Sequence, residues 1–128
     1  MILIIGGEGS GKREFARTLG YTDADMADAV LDERPVLYHL ERMVFAQPEA
    51  AGALLEQLRG KEVVICNEVG SGIIPVDHLE RLGREAAGRL CVLLAQEATA
   101  VVRLVCGIPT VIKGELPEPG SRAASVSC

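Results

Sequence analysis

The chain has 128 residues, 48% of them apolar but only 3% aromatic, so one domain can bury a single core built from Val, Leu, Ile and Ala. A formal net charge of −5 argues against a general nucleic-acid or membrane-surface binder. It does not exclude nucleotides, because a phosphate loop binds anions through backbone N–H groups and one Lys rather than through net charge.

The first apolar run, MILII, is too short for a signal core or a membrane span, so the protein is expected to be soluble and cytoplasmic. Ile2–Ile5 reads as a buried strand of a parallel sheet. GGEGSGK follows directly, and Lys12–Leu19 reads as a helix with Phe15, Ala16 and Leu19 on one face and Gly20 at its end. YTDADMADAVLDERP is acidic and weakly amphipathic, and is placed only as loop plus short helix. Val36–Leu40 is a strand or the start of a helix running to Ala46. Pro48 opens a clearer helix, PEAAGALLEQLRG.

Glu62–Cys66 is a second buried strand, which NEVGSGIIP leaves as a Gly-rich loop. Asp77 is a candidate N-cap for a helix over Asp77–Ala98, with Leu79, Leu82, Ala86, Leu90, Leu93 and Leu94 facing inward. Val101–Cys106 is a third strand, and GIPTVIKG carries an edge strand or a turn. Cys66, Cys91, Cys106 and Cys128 form no close pair and read as reduced thiols, with Cys66 and Cys106 in the core. From Glu115 on, the Pro-, Gly- and Ser-rich sequence predicts a disordered tail over 115–128, leaving 1–114 as one nucleotide-binding domain. Strands alternating with helices give an α/β fold with a mostly parallel sheet flanked by helices.

Gly6 to Lys12 satisfies G-x-x-x-x-G-K, after a strand and opening a helix, which is the context a phosphate-binding loop requires. Its glycines let the backbone N–H groups turn inward, and Lys12 would reach the β- and γ-phosphates. The plainer alternative is a Gly-rich turn without a ligand. Arg13 stands where a Ser or Thr normally offers its hydroxyl to the Mg²⁺ that bridges the phosphates. Arg cannot ligate a cation; it binds phosphate oxygens itself or points to solvent. Asn67 and Glu68 leave the EVVIC strand at its C-terminal end, beside the loop. Glu68 could hold Mg²⁺ through water, accept a proton from a hydroxyl nucleophile, or be a solvated acid at a strand end.

GG-x-x-SGK near the N-terminus, NEVG-x-GI-x-P in the middle and a late GIP-x-x-IK resemble the bifunctional adenosylcobinamide kinase / adenosylcobinamide-phosphate guanylyltransferase (CobU-like) family of cobalamin biosynthesis. Arg81, Arg84, Glu85 and Gly88 supply a further R-x-x-R-E-x-x-G element of that likeness. The resemblance implies a RecA-like P-loop NTPase fold and a homo-oligomer, usually a trimer. It implies phosphorylation of the aminopropanol hydroxyl of adenosylcobinamide by ATP or GTP, then transfer of GMP from GTP through a guanylylated histidine. On this reading Lys12 and Glu68 are catalytic, and the nucleotide lies against Gly6, Gly7, Glu8, Gly9, Ser10, Gly11, Lys12, Arg13, Asn67 and Glu68. The partners are a nucleoside triphosphate, with or without Mg²⁺, and a corrinoid; no residue is assigned as a metal ligand.

The chain also departs from that pattern. It is shorter between the first helix and the NEVG strand. DADMADAVLDERP resembles the stretch that carries the guanylyl-accepting histidine just before an Arg-Pro pair; Arg34 and Pro35 are present, but no histidine precedes them, and His39 lies beyond Pro35. Where the family ends a middle strand with an acid, Tyr38 stands, or Glu41 if the register slips. An Asn-Gln pair of the long helix is replaced by Cys91 and Val92. The alternative function is therefore a non-catalytic nucleotide-binding partner or regulatory protein.

Overall fold

Residues along the strands alternate between two apolar faces, and this period of two builds a layered core. The structure is a computed structural model that describes residues 1–68, 77–118 and 120. Among them the order is β1 (Ile2–Gly6), α1 (Lys12–Thr18), β2 (Met26–Asp28), β3 (Val36–Tyr38), α2 (Leu40–Ala46), α3 (Ala51–Leu58), β4 (Val63–Asn67), α4 (His78–Glu97), β5 (Ala100–Val105) and β6 (Ile108–Lys113), with 3₁₀ turns at Asp23–Asp25 and Pro48–Ala50. The six strands form one sheet in the order β2-β3-β4-β1-β5-β6. All neighbours are parallel except β5 and β6. This is the α/β, mostly parallel, helix-flanked sheet expected of a RecA-like P-loop fold.

On one face Leu3, Leu37, Val64, Cys66 and Val101 pack with Leu40 and Val44 of α2, Leu58 of α3 and Ala86, Ala87, Leu90 and Leu94 of α4. On the other, Ile2, Ile4, Val63, Ile65, Val102 and Leu104 meet Ala16 of α1, Leu19 and Tyr21. Both faces of β1, β4 and β5 are covered, which is why these strands read as continuous apolar runs.

Several expectations need correction. The β2 strand lies inside the stretch assigned to loop and short helix. The 36–40 segment is divided: Val36–Tyr38 is strand, and α2 starts at Leu40. Asp77 does cap α4, its carboxylate accepting the Glu80 N–H at 2.7 Å. The inward stripe of α4, however, is Gly83, Ala86, Ala87, Leu90 and Leu94, whereas Leu79, Leu82 and Leu93 are exposed. At Gly83 a Cβ would come within 3.0 Å of the Phe45 ring of α2, so the start of that stripe has little room for a side chain. Cys66 is buried as expected, but Cys106 is exposed in the Cys106–Gly107 turn, with φ +51. GIPTVIKG forms the antiparallel edge strand β6, exposed along its whole length with Ile108, Val111 and Ile112 outward. At the start of the expected tail Leu116 packs against the core and the Gly120 N–H reaches the Thr18 carbonyl at 2.9 Å; residues 119 and 121–128 lie outside the described residues. So does 69–76, the larger part of the NEVGSGIIP loop.

Candidate nucleotide site

β1 and β4 run side by side, with Gly6 in register with Asn67, so the loops that leave them open on the same C-terminal rim. Glu68 ties the two together by donating its N–H to the Gly6 carbonyl at 2.8 Å. Beyond Gly6 the chain turns with the Ser10 N–H on the Gly7 carbonyl at 3.2 Å, and the Gly107 N–H braces it from the β5–β6 turn by bonding the Ser10 carbonyl at 2.9 Å. Gly11 makes the entry to α1 at φ +93, a backbone state suited to glycine, and a Cβ there would meet the Gly107 Cα at 3.3 Å.

The Lys12 side chain is buried and folds back into this loop, donating from Nζ to the Gly7 carbonyl at 2.5 Å and to Ser10 Oγ at 3.4 Å. Burial holds its ammonium below the usual lysine range, and the negative charge of Glu41, then Cys66, Glu8 and Glu68, opposes that shift. Glu41 is the residue that sequence reasoning left as a mere alternative. It sits buried in the first turn of α2, and its carboxylate accepts the Asn67 N–H at 2.9 Å. It thereby fixes the end of β4 while placing an acid within electrostatic reach of Lys12.

A cavity of about 310 Å³ opens beside the loop, within the size range of small-molecule sites. Glu8, Gly9, Ser10, Gly11, Lys12, Arg13 and Glu14 of the loop and the start of α1 line it, together with Tyr38, His39, Arg42, Ile65 and Asn67. Gly6 and Gly7 form the base of the turn, outside this lining. Glu68 is also outside it: Arg103 of β5 holds both of its oxygens, Nε to Oε1 at 2.5 Å and Nη2 to Oε2 at 3.0 Å. The Arg13 guanidinium lies 5.1 Å from the centre of the Tyr38 ring, a cation–π contact on the cavity rim. Tyr38 and His39 rings are 4.6 Å apart, and His39 Nδ1 meets Asp28 Oδ1 at 2.6 Å. That hydrogen bond is the main reason the Asp28 carboxyl titrates below its usual range.

Arg34 and Pro35 lie elsewhere. They precede β3 at its N-terminal end, the rim opposite the loop, where Pro35 accepts the Glu62 N–H at 3.0 Å. Arg34 clamps Asp32 with Nε and Nη2, at 2.9 and 2.6 Å, and Lys61 donates to the Arg34 carbonyl at 2.6 Å. A side chain just ahead of Arg34 therefore starts from the far side of the sheet, whereas His39, past the other end of β3, lines the cavity.

The profile of the family described as cobinamide kinase / cobinamide phosphate guanyltransferase matches residues 24–112, more than two thirds of the chain. The chain belongs to that family. The cobinamide kinase / guanyltransferase match starts after the phosphate loop, so the loop rests on its own motif and geometry. The chain is similar to the bifunctional adenosylcobalamin biosynthesis protein CobU of Escherichia coli (strain K12), at 36% identity over 74 residues, 58% of this chain and 41% of that protein. It is similar to the bifunctional adenosylcobalamin biosynthesis protein CobP of Pseudomonas aeruginosa, at 34% over 67 residues, 52% of this chain and 39% of the relative. The matched stretch thus spans about two fifths of these relatives. Among the described residues no helix is long and apolar enough to cross a membrane.

Proposed function

We propose that the protein binds ATP or GTP with its triphosphate on the Gly6–Lys12 loop and phosphorylates the side-chain hydroxyl of adenosylcobinamide in cobalamin biosynthesis. The observation that carries the reading is the cavity itself, which joins the loop, Arg13 and Asn67 on one rim of a sheet whose residues 24–112 match the cobinamide kinase family. In that reaction the corrinoid hydroxyl oxygen bonds to the γ-phosphorus, the bond to the β-phosphate oxygen breaks, and the nucleoside diphosphate leaves. The loop N–H groups and Lys12 hold the phosphates while negative charge spreads over the transferring group. Glu68 is the acid proposed to take the hydroxyl proton, and Arg103 must release it first. The proposal does not extend to guanylyl transfer, since no histidine precedes Arg34 and Pro35, and that pair faces the opposite rim.

The test is transfer of radiolabelled γ-phosphate from ATP or GTP to adenosylcobinamide, with Lys12→Met as control. Labelled corrinoid above the control supports the kinase. Bound nucleotide with no transfer would overturn it in favour of a nucleotide-binding partner protein, a reading favoured by the Arg103 clamp on Glu68 and by Arg13 in the place of the metal-binding hydroxyl.

A further inference from the structure

Phosphate loops of this type pair their Lys with a divalent cation held by the next residue's hydroxyl and by an acid at a strand end. The described residues of this chain do not fit such an ion. Arg13 follows Lys12, a Tyr ends β3, the acid at the end of β4 is held at both oxygens by Arg103, and Glu41 lies outside the cavity lining with Oε1 on the Asn67 N–H. No three acidic, His or Cys side chains among the described residues are grouped to hold a metal.

The two replaced positions, 25 residues apart in sequence, meet in space: the Arg13 guanidinium stacks on the Tyr38 ring at 5.1 Å, at the mouth of the cavity. Lys12, Arg13 and Arg42 line the cavity with the carboxylates of Glu8 and Glu14; Arg42 lies 3.8 Å from Asp28, whereas Arg13 has no ion pair among the described residues. A guanidinium is always charged, and its planar fork suits phosphate oxygens, so a stacked Arg presents a fixed positive charge with donors turned to an anion.

We propose that Arg13, oriented by Tyr38, takes the place of the divalent cation, so that this chain binds a nucleoside triphosphate through Lys12 and Arg13 without Mg²⁺. The inference rests on the loop being a nucleotide site. It predicts that free nucleotide is bound as well as its magnesium complex, and that Arg13 carries selectivity for the free form.

The test is calorimetric titration of ATP and GTP into the whole chain, in excess EDTA and in excess Mg²⁺. Wild-type Kd values are expected to agree within about threefold between the two conditions. Arg13→Ser should weaken binding in EDTA by about 10- to 100-fold and regain part of it with Mg²⁺. Tyr38→Leu, which keeps the cation and removes its platform, should weaken binding in EDTA by about two- to fivefold. Circular dichroism of each variant separates a folding defect from a binding one. Wild-type binding that tightens tenfold or more with Mg²⁺ (about 1.4 kcal/mol) would overturn the inference and leave the nucleotide site standing. No binding in either condition would overturn both.

Discussion

Replacing Lys12 by Met separates what this residue does for folding from what it does for binding. Its ammonium is buried against the Gly7 carbonyl and titrates below the ordinary lysine value of 10.5, chiefly because burial disfavours the charged form. The unfolded chain therefore binds more protons than the folded one between the lowered value and 10.5, and the residue's contribution to stability rises as pH rises through that window. Lys12→Met removes the buried charge, so the melting temperature at pH 7 should hold or rise, and the alkaline gain in stability should disappear. For binding the sign reverses. Charge-assisted hydrogen bonds to phosphate contribute about 1.5–3 kcal/mol, but Nζ must first leave the Gly7 carbonyl, so a net loss of about 10- to 50-fold in nucleotide affinity is expected. Differential scanning fluorimetry against pH and titration with a fluorescent nucleotide read the two effects. A variant that binds within about threefold of wild type would refute the placement of phosphates on this loop. A marked drop in melting temperature would refute the argument that the buried ammonium is a cost.

Gly6→Ala places a Cβ 2.7 Å from the Leu104 carbonyl oxygen and 2.5 Å from Ser10 Oγ; Ser10 can rotate away but the backbone of β5 cannot, so a loss of about 1–3 kcal/mol in urea melts is expected together with weakened nucleotide binding. An unchanged melt would show that β1 and β5 shift freely. Lys61→Met strips the donor shared by the Asp32 and Arg34 carbonyls and should cost about 1–3 kcal/mol while leaving nucleotide affinity intact, since this loop is on the far rim; a coupled loss of binding would contradict that separation. Iodoacetamide on the native protein should label the exposed Cys106 and spare Cys66, whose thiol is pushed up by its hydrogen bond with Cys91, the sulfurs 3.6 Å apart, and by burial. Peptide mapping that finds Cys66 modified before unfolding would contradict the packing of α4 on β4.

The parts legible in the sequence were those whose signal is local. β1, β4 and β5 are Val- and Ile-rich runs buried on both faces, and the loop announces itself by the spacing of two glycines and a lysine. β2 has only three residues, Met26–Asp28, and its pattern is drowned by the acids around it. The α4 leucines misled because the buried face of the helix is Gly83, Ala86, Ala87, Leu90 and Leu94, and at Gly83 the Phe45 ring of another helix leaves little room for a side chain. In the site, Glu41 on Asn67, Arg103 on Glu68 and Arg13 on Tyr38 are pairs 26, 35 and 25 residues apart. Each depends on strand order and register, which no short motif encodes. Tyr38 and Arg13 were both visible as departures from the family pattern, and only the adjacency of the end of β3 to the loop makes them partners.

The most direct test of the nucleotide site is a crystal structure of the protein grown with GTP in EDTA. The account predicts the β- and γ-phosphates against the N–H groups of residues 9–13, with Lys12 Nζ released from the Gly7 carbonyl and the Arg13 guanidinium on a phosphate oxygen while still stacked on Tyr38. A nucleotide bound elsewhere on the protein, with Lys12 still folded into its own loop, would contradict it.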